Sequence, residues 1–252
     1  PELWRWRTDP PAFSVALGSC AFVNDPPYDR PGPGYGGQYE IFEAIHLADP
    51  DLMIWMGDNT YLRDPDWDSR TGIFYRYTHD RSIPQLQPLL ASTQHYATWD
   101  DHDFGPNNSD RGLWNKDVTT EAFRLFWANP SYGIPGQPGI TTKFEWGDAD
   151  FFLLDNRYFR TPENRESAEP TILGEEQLQW LIDNLTFSKA TFKFVVMGGQ
   201  FLNPTDRWEN YINVAPGERE RIIDLIQLER IPGVIFLSGD RHHTEVSKLD
   251  KR

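Results

Sequence analysis

Seven short apolar runs alternate with helical stretches along the chain, and six of them lead, four through glycine, into side chains able to hold a cation or an anion. The runs cover 13–17, 51–55, 95–99, 141–146, 150–154, 192–197 and 234–237. Several are almost continuous Val, Ile, Leu and Phe, the pattern of strands covered on both faces. Between them, 38–47, 118–128, 174–185 and 216–229 carry helical spacing. Leu178, Leu181, Ile182 and Leu185 form an i, i+3, i+4, i+7 stripe. Strands alternating with helices predict an α/β protein built in layers. The 252 residues show no internal repeat and suffice for one large core, so a single domain over 1–252 is expected. Both ends look abrupt, and the segment is expected to be a piece of a longer chain. Proline- and glycine-rich stretches at 25–37, 130–139 and 161–170 read as long surface loops of the kind that build or cover a site.

Open α/β sheets place their ligands beyond the strand ends, and there the polar residues gather. They are Gly18-Ser19-Cys20, Gly57-Asp58-Asn59-Thr60-Tyr61, Asp100-Asp101-His102-Asp103 with Asn107 and Asn108, Asp155-Asn156-Arg157, Gly198-Gly199-Gln200, and Gly239-Asp240-Arg241-His242-His243. One convergent cluster is expected. Adjacent carboxylates repel unless a cation offsets them. On an extended backbone Asp240 and His242 project the same way, a donor pair suited to a transition metal, while His243 points away. Cys20 reads either as a metal-bound thiolate or as a small buried hydrophobe. Tyr61 reads either as a phenolate ligand or as a packed ring. Arg157 and Arg241 are candidates for holding an anion, with Arg157 alternatively pairing with Asp155. Asn59 either binds phosphate or stabilises a turn, and Asp58 either ligates or caps one.

Several classes are excluded. Lys and Arg number 24 against 38 Asp and Glu, so the net charge of −14 argues against nucleic-acid or anionic-membrane surfaces. No apolar run is long enough to span a bilayer, and the lone Cys20 excludes an internal disulfide. Esterase, zincin and P-loop motifs are absent. The stretch 64–75 fails as a calcium loop, with Ser69 at the glycine position and Tyr75 in place of the bidentate Glu. Trp4, Trp6, Trp67, Trp114 and Trp208 lie in loop-like segments. They leave open a non-catalytic, calcium-dependent carbohydrate- or ligand-binding module.

Taken in order, Gly18-Ser19-Cys20, Gly57-Asp58-x-x-Tyr61, Trp99-Asp100-Asp101-His102-Asp103 with Asn107-Asn108, Leu154-Asp155-Asn156-Arg157, Gly174-x-x-Gln177-x-x-Trp180-Leu181 and Gly239-Asp240-Arg241-His242 resemble the PhoD-like alkaline phosphatase/phosphodiesterase family of metallophosphoesterases. The resemblance runs from about residue 16 to 245. It implies a four-layer α/β/β/α sandwich of two mixed sheets. It implies Fe3+ held by Cys20, Asp58, Tyr61 and His242, and Ca2+ on the side of Asp101, Asn107 and Asp240, with Asp58 bridging; Zn2+ or Mn2+ is the alternative. The implied reaction is hydrolysis of phosphate mono- or diesters by a metal-activated hydroxide. Asn59, Arg157 and Arg241 would contact the phosphate, and His102 would protonate the leaving group or orient the phosphate. An extracytoplasmic location is implied as well. Phe22 stands where relatives often carry an acidic residue and Gln200 where many have a histidine.

Overall fold

All seven apolar runs form strands, displaced by two residues or fewer from the expected bounds. In chain order, the computed structural model contains β1 (Val15–Gly18), α1 (Glu40–Leu47), β2 (Leu52–Met56), α2 (Arg70–Arg81), a 3-10 turn (Pro84–Leu86), α3 (Gln87–Ser92), β3 (Gln94–Thr98), α4 (Asp101–Phe104), α5 (Lys116–Phe126), β4 (Thr142–Trp146), β5 (Ala149–Leu153), α6 (Glu175–Phe187), β6 (Phe192–Met197), α7 (Tyr211–Val214), α8 (Pro216–Leu228) and β7 (Val234–Ser238). The structure describes residues 9–205 and 207–249. Trp4 and Trp6 lie outside them.

The strands build two sheets, ordered β1-β2-β3 and β4-β5-β6-β7. Only the second is mixed: β4 pairs antiparallel to β5, while β5, β6 and β7 run parallel. The first is parallel throughout, against the expectation of two mixed sheets. Each of its connections carries at least one helix back along the sheet before the next strand, which enforces parallel pairing. β4 and β5, by contrast, are joined by Gly147 and Asp148 alone, a tight turn that enforces the antiparallel pairing.

Side-chain alternation with both faces covered explains why β2, β5 and β6 are largely apolar. Leu52 and Ile54 of β2, with Phe151 and Leu153 of β5 and Val196 of β6, fill the space between the sheets. There Tyr96 stacks on Phe144 at 3.6 Å, Phe144 on Phe151 at 4.7 Å, and Phe151 on Phe194 at 4.9 Å. The intervening Met53 and Trp55 point the other way, onto Phe42 of α1, Tyr77 of α2 and Phe123 of α5. Phe152, Val195 and Met197 likewise meet the α6 stripe together with Ile222 and Ile223 of α8. Helices, sheet, sheet and helices thus form the four expected layers. Trimming Ile54, which is fully buried, to valine is expected to cost about 1 kcal/mol. It is read as a lowered urea midpoint at constant slope.

α2 was not expected. Its sequence is strongly polar, yet Arg76 and Asp80 are buried beside Ile73 and Tyr77. Arg76 is held by Asp66 at 2.9 Å and Asp25 at 3.0 Å. The acidic stretch that fails as a calcium loop therefore pins a helix, Asp66 also accepting from the Arg63 N–H at 2.8 Å. No described helix is long and apolar enough to cross a membrane.

Candidate metal centre

The carboxyl ends of β1, β2, β3, β5, β6 and β7 meet at one edge of the sandwich. Cys20 N donates to Gly57 O at 3.1 Å and Ala21 N to Asp58 O at 2.8 Å, joining the ends of β1 and β2. Thr98 Oγ1 donates to Leu154 O at 2.6 Å, joining the two sheets. Glycine makes the closest approaches possible. A Cβ at Gly198 would stand 2.6 Å from the Asp100 side chain, and one at Gly239 would stand 2.2 Å from Met56 O. Cys20, Asp58 and Asp240 themselves take left-handed backbone, with φ of 59°, 53° and 69°. Three such residues at one edge mark a strained, over-determined site.

Asp58 is its hub. Its Oδ2 lies 3.8 Å from the Cys20 thiol and accepts from the Tyr61 hydroxyl at 3.3 Å. Its Oδ1 accepts from the His102 N–H at 3.2 Å. Ligand atoms of Asp58, Asp101 and His102 all lie within 4.8 Å of one another, and the His102 ring stacks on Tyr61 at 4.4 Å. Cys20 also donates to Asp240 O at 3.5 Å, so the β7 end adjoins the cluster. Asp103 is set apart from the others. It accepts from the N–H groups of Asn59, Thr60 and Asp100 at 2.9–3.0 Å and so fixes the loop behind Asp58.

The charges are mutually unfavourable. Burial, then the neighbouring Asp101 and Asp100, holds the Asp58 carboxyl well above its usual range. Burial and Glu209 push Asp240 up to about 6, and burial pushes Asp103 up to about 7. The Cys20 thiol is pushed up to about 12 by burial and Asp58, and the Tyr61 hydroxyl is raised for the same reasons. Asp101 is the exception: burial opposes its ionisation, but Arg157, His102 and the Asn108 N–H outweigh it and lower its pKa. Burial also lowers His102. Buried Asp100 Oδ2 and Asn156 Oδ1 have no hydrogen-bond donor among the described residues. Crowded carboxylates, a thiol, a phenol and acceptors lacking donors form the donor set that a cation satisfies, so the residues fit a metal centre.

Other expected residues lie elsewhere. Arg157 is fully buried and spent on ion pairs, with Nε 2.6 Å from Asp100 Oδ1 and Nη1 2.9 Å from Glu209 Oε2. Asp155 takes the Arg157 backbone N–H at 3.0 Å, not its guanidinium. Asn59 turns inward, donating to Thr98 O at 2.7 Å. Asn107 is exposed and donates to Asn108 Oδ1 at 2.8 Å; the Asn108 N–H, at 2.7 Å, is what meets Asp101. His242 is exposed and outside the Asp58 cluster, because the left-handed turn at Asp240 breaks the extended backbone on which the pair was to project together. Arg241 stands at the rim, its guanidinium 4.7 Å from the ring of exposed Trp208. Gln200 donates to Gly239 O at 2.7 Å. Trp114 is exposed and Trp67 half-buried. The loop at 130–139 walls a cleft of about 770 Å³, none of whose lining residues belongs to the acidic cluster.

Sequence reasoning left Asp100, Asn156 and Glu209 without roles. Asp100 and Asn156 stood in quoted motifs. Glu209 follows no apolar run, and nothing local marks it.

A family model described as PhoD-like phosphatase matches residues 16–252. Alkaline phosphatase D of Bacillus subtilis (strain 168) is 28% identical over 291 residues, which cover 95% of this chain and 48% of that protein. A solved structure of PhoD superposes with a TM-score of 0.70 at 21% identity, covering 91% of this chain and 51% of the other. Purple acid phosphatase PPD1 from yellow lupin (Lupinus luteus) seeds gives 0.56 at 15% identity, covering 89% and 37%. The chain spans about half the length of the curated relative it matches.

Proposed function

The chain belongs to the PhoD-like phosphatase family, and from that premise we propose that it hydrolyses phosphate esters at a two-cation centre built on Asp58. One observation carries the reading: Asp58 presents Oδ2 to a thiol and a phenol and Oδ1 to the turn of Asp101 and His102. A carboxylate with different donors on its two oxygens is placed to bridge two ions. Thiolate and phenolate suit ferric iron, and the Asp101 and Asp240 carboxylates suit calcium, zinc and manganese being the alternatives. Such ions, when bound, neutralise phosphate charge and acidify water.

The protein's own residues do the rest. Asp58 and Cys20 must give up protons that their burial retains. His102, uncharged near neutral pH, offers its ring to orient a phosphate oxygen. Arg241, at the rim, pairs through Nε with Asp240 Oδ2 at 3.0 Å and would offer its terminal nitrogens to an incoming anion, whereas Arg157 holds Asp100 in place.

Two measurements test the reading. Purified protein should contain metal, show a visible charge-transfer band if iron is present, and hydrolyse bis-p-nitrophenyl phosphate. Turnover that persists after exhaustive chelation, including reductive removal of iron, overturns it. Cation uptake should also depend on pH. A thiol with its pKa near 12 is protonated throughout the working range, so binding as thiolate expels a proton. Affinity then rises with pH, by about tenfold per unit from this group. Competition with a chromophoric chelator at several pH values reads the slope, which Cys20→Ser should flatten.

A further inference from the structure

Behind Asp58, between the first sheet and its helices, lies a chamber of about 20 Å³ lined by Asn59, Asp80, Arg81 and Trp127 among others. Each of these four carries one buried polar atom without a hydrogen-bond partner: Asn59 Oδ1, Asp80 Oδ2, Arg81 Nη2 and Trp127 Nε1. Their remaining polar atoms and their packing hold them in place. Asn59 Nδ2 is fixed on Thr98 O at 2.7 Å, and Asp80 Oδ1 lies 3.1 Å from His79 Nδ1. The Arg81 guanidinium lies 4.2 Å from the Trp127 ring and 5.2 Å from that of Phe126. Asn59 and Asp80 are 6% and 3% exposed, so bulk solvent does not serve them.

Two of the four atoms accept and two donate. A cation is excluded by the two donors, and an anion by the carboxylate and the amide oxygen. A water molecule donates twice and accepts twice, and it needs roughly 10–15 Å³ of such space. We propose that the chamber is a binding site for one water, which accepts from Arg81 and Trp127 and donates to Asn59 and Asp80. This water completes the hydrogen bonding of Asn59, the residue that follows the left-handed Asp58. Arg81 and Trp127 thereby act as positioning residues for Asp58, a consequence that rests on the cation-centre reading.

A high-resolution crystal structure of the whole chain should show a single water peak within hydrogen-bond distance of at least three of the four atoms. A chamber closed by a direct Arg81–Asp80 pair, or one holding an ion, overturns the site. Trp127→Phe keeps the ring and removes one donor. It should lower cation affinity about tenfold by chelator competition. Unchanged affinity in a variant that still folds, with the wild-type water present, overturns the positioning role alone. Wild-type protein that binds no cation overturns the cation-centre reading and leaves the water site standing.

Discussion

Asp58→Asn should abolish phosphoesterase turnover while making the metal-free protein more stable. The loss is expected to be roughly 10³-fold or more, equivalent to about 4 kcal/mol of transition-state stabilisation, since on the proposed reading this carboxylate would hold both cations. The stability gain follows from linkage. Burial and the adjacent Asp101 and Asp100 raise the folded-state pKa of Asp58 far above its ordinary 3.8. The folded state therefore holds a proton that the unfolded chain has already released, and stability falls as pH rises above about 4. Asp103, pushed to about 7, and Asp240, pushed to about 6, act in the same direction. Melting of chelated protein across pH 5–8 should show wild type declining more steeply than Asp58→Asn. A variant that loses activity and also melts lower in the metal-free form would make Asp58 a structural cap.

Arg157→Ala should be destabilising by about 3–5 kcal/mol, because it strands the buried Asp100 carboxylate without its counter-charge and leaves buried Glu209 with Arg160 alone. Asp100 is fully buried and Glu209 is 7% exposed, so neither can turn to water. For a chain of this size the midpoint should fall by roughly 10 °C. Arg157→Lys keeps the charge and loses the fork that spans both partners, and it should fall in between. The alternative is an anion contact, as the residue's place after β5 suggests. It would leave melting unchanged and raise KM for a phosphodiester.

The contrast at Arg157 shows what was legible in the amino-acid order. The central strands could be read because both faces of each sheet are covered, which favours apolar residues at most of their positions. α6 could be read because only one stripe of it is buried. α2 could not, since it buries Arg76 through ion pairs to Asp25 and Asp66, both outside the helix, and buries Asp80 beside His79. Asp58, Asp101 and His102 could be named because strand ends deliver them directly. Asn107 was expected as a ligand on the divalent side; its side chain here donates to Asn108 Oδ1, and it is the Asn108 N–H that meets the Asp101 carboxylate. His242 was expected inward because a left-handed residue at 240 leaves no mark in the residue types. Spacing likewise carries no sign of whether a guanidinium faces solvent or a buried carboxylate.

The positive φ angles of Cys20, Asp58 and Asp240 also bear on how such a protein can diverge. A β-branched side chain is strongly disfavoured in that region of backbone space. At these positions Ser, Asn, Asp or Gly can replace one another, whereas Thr and Val cannot enter without rebuilding the loops. Exchange of thiol for hydroxyl at residue 20 is therefore open to serine and closed to threonine, which, on the proposed reading of Cys20 as a ligand, would narrow the mutational routes to a changed metal preference.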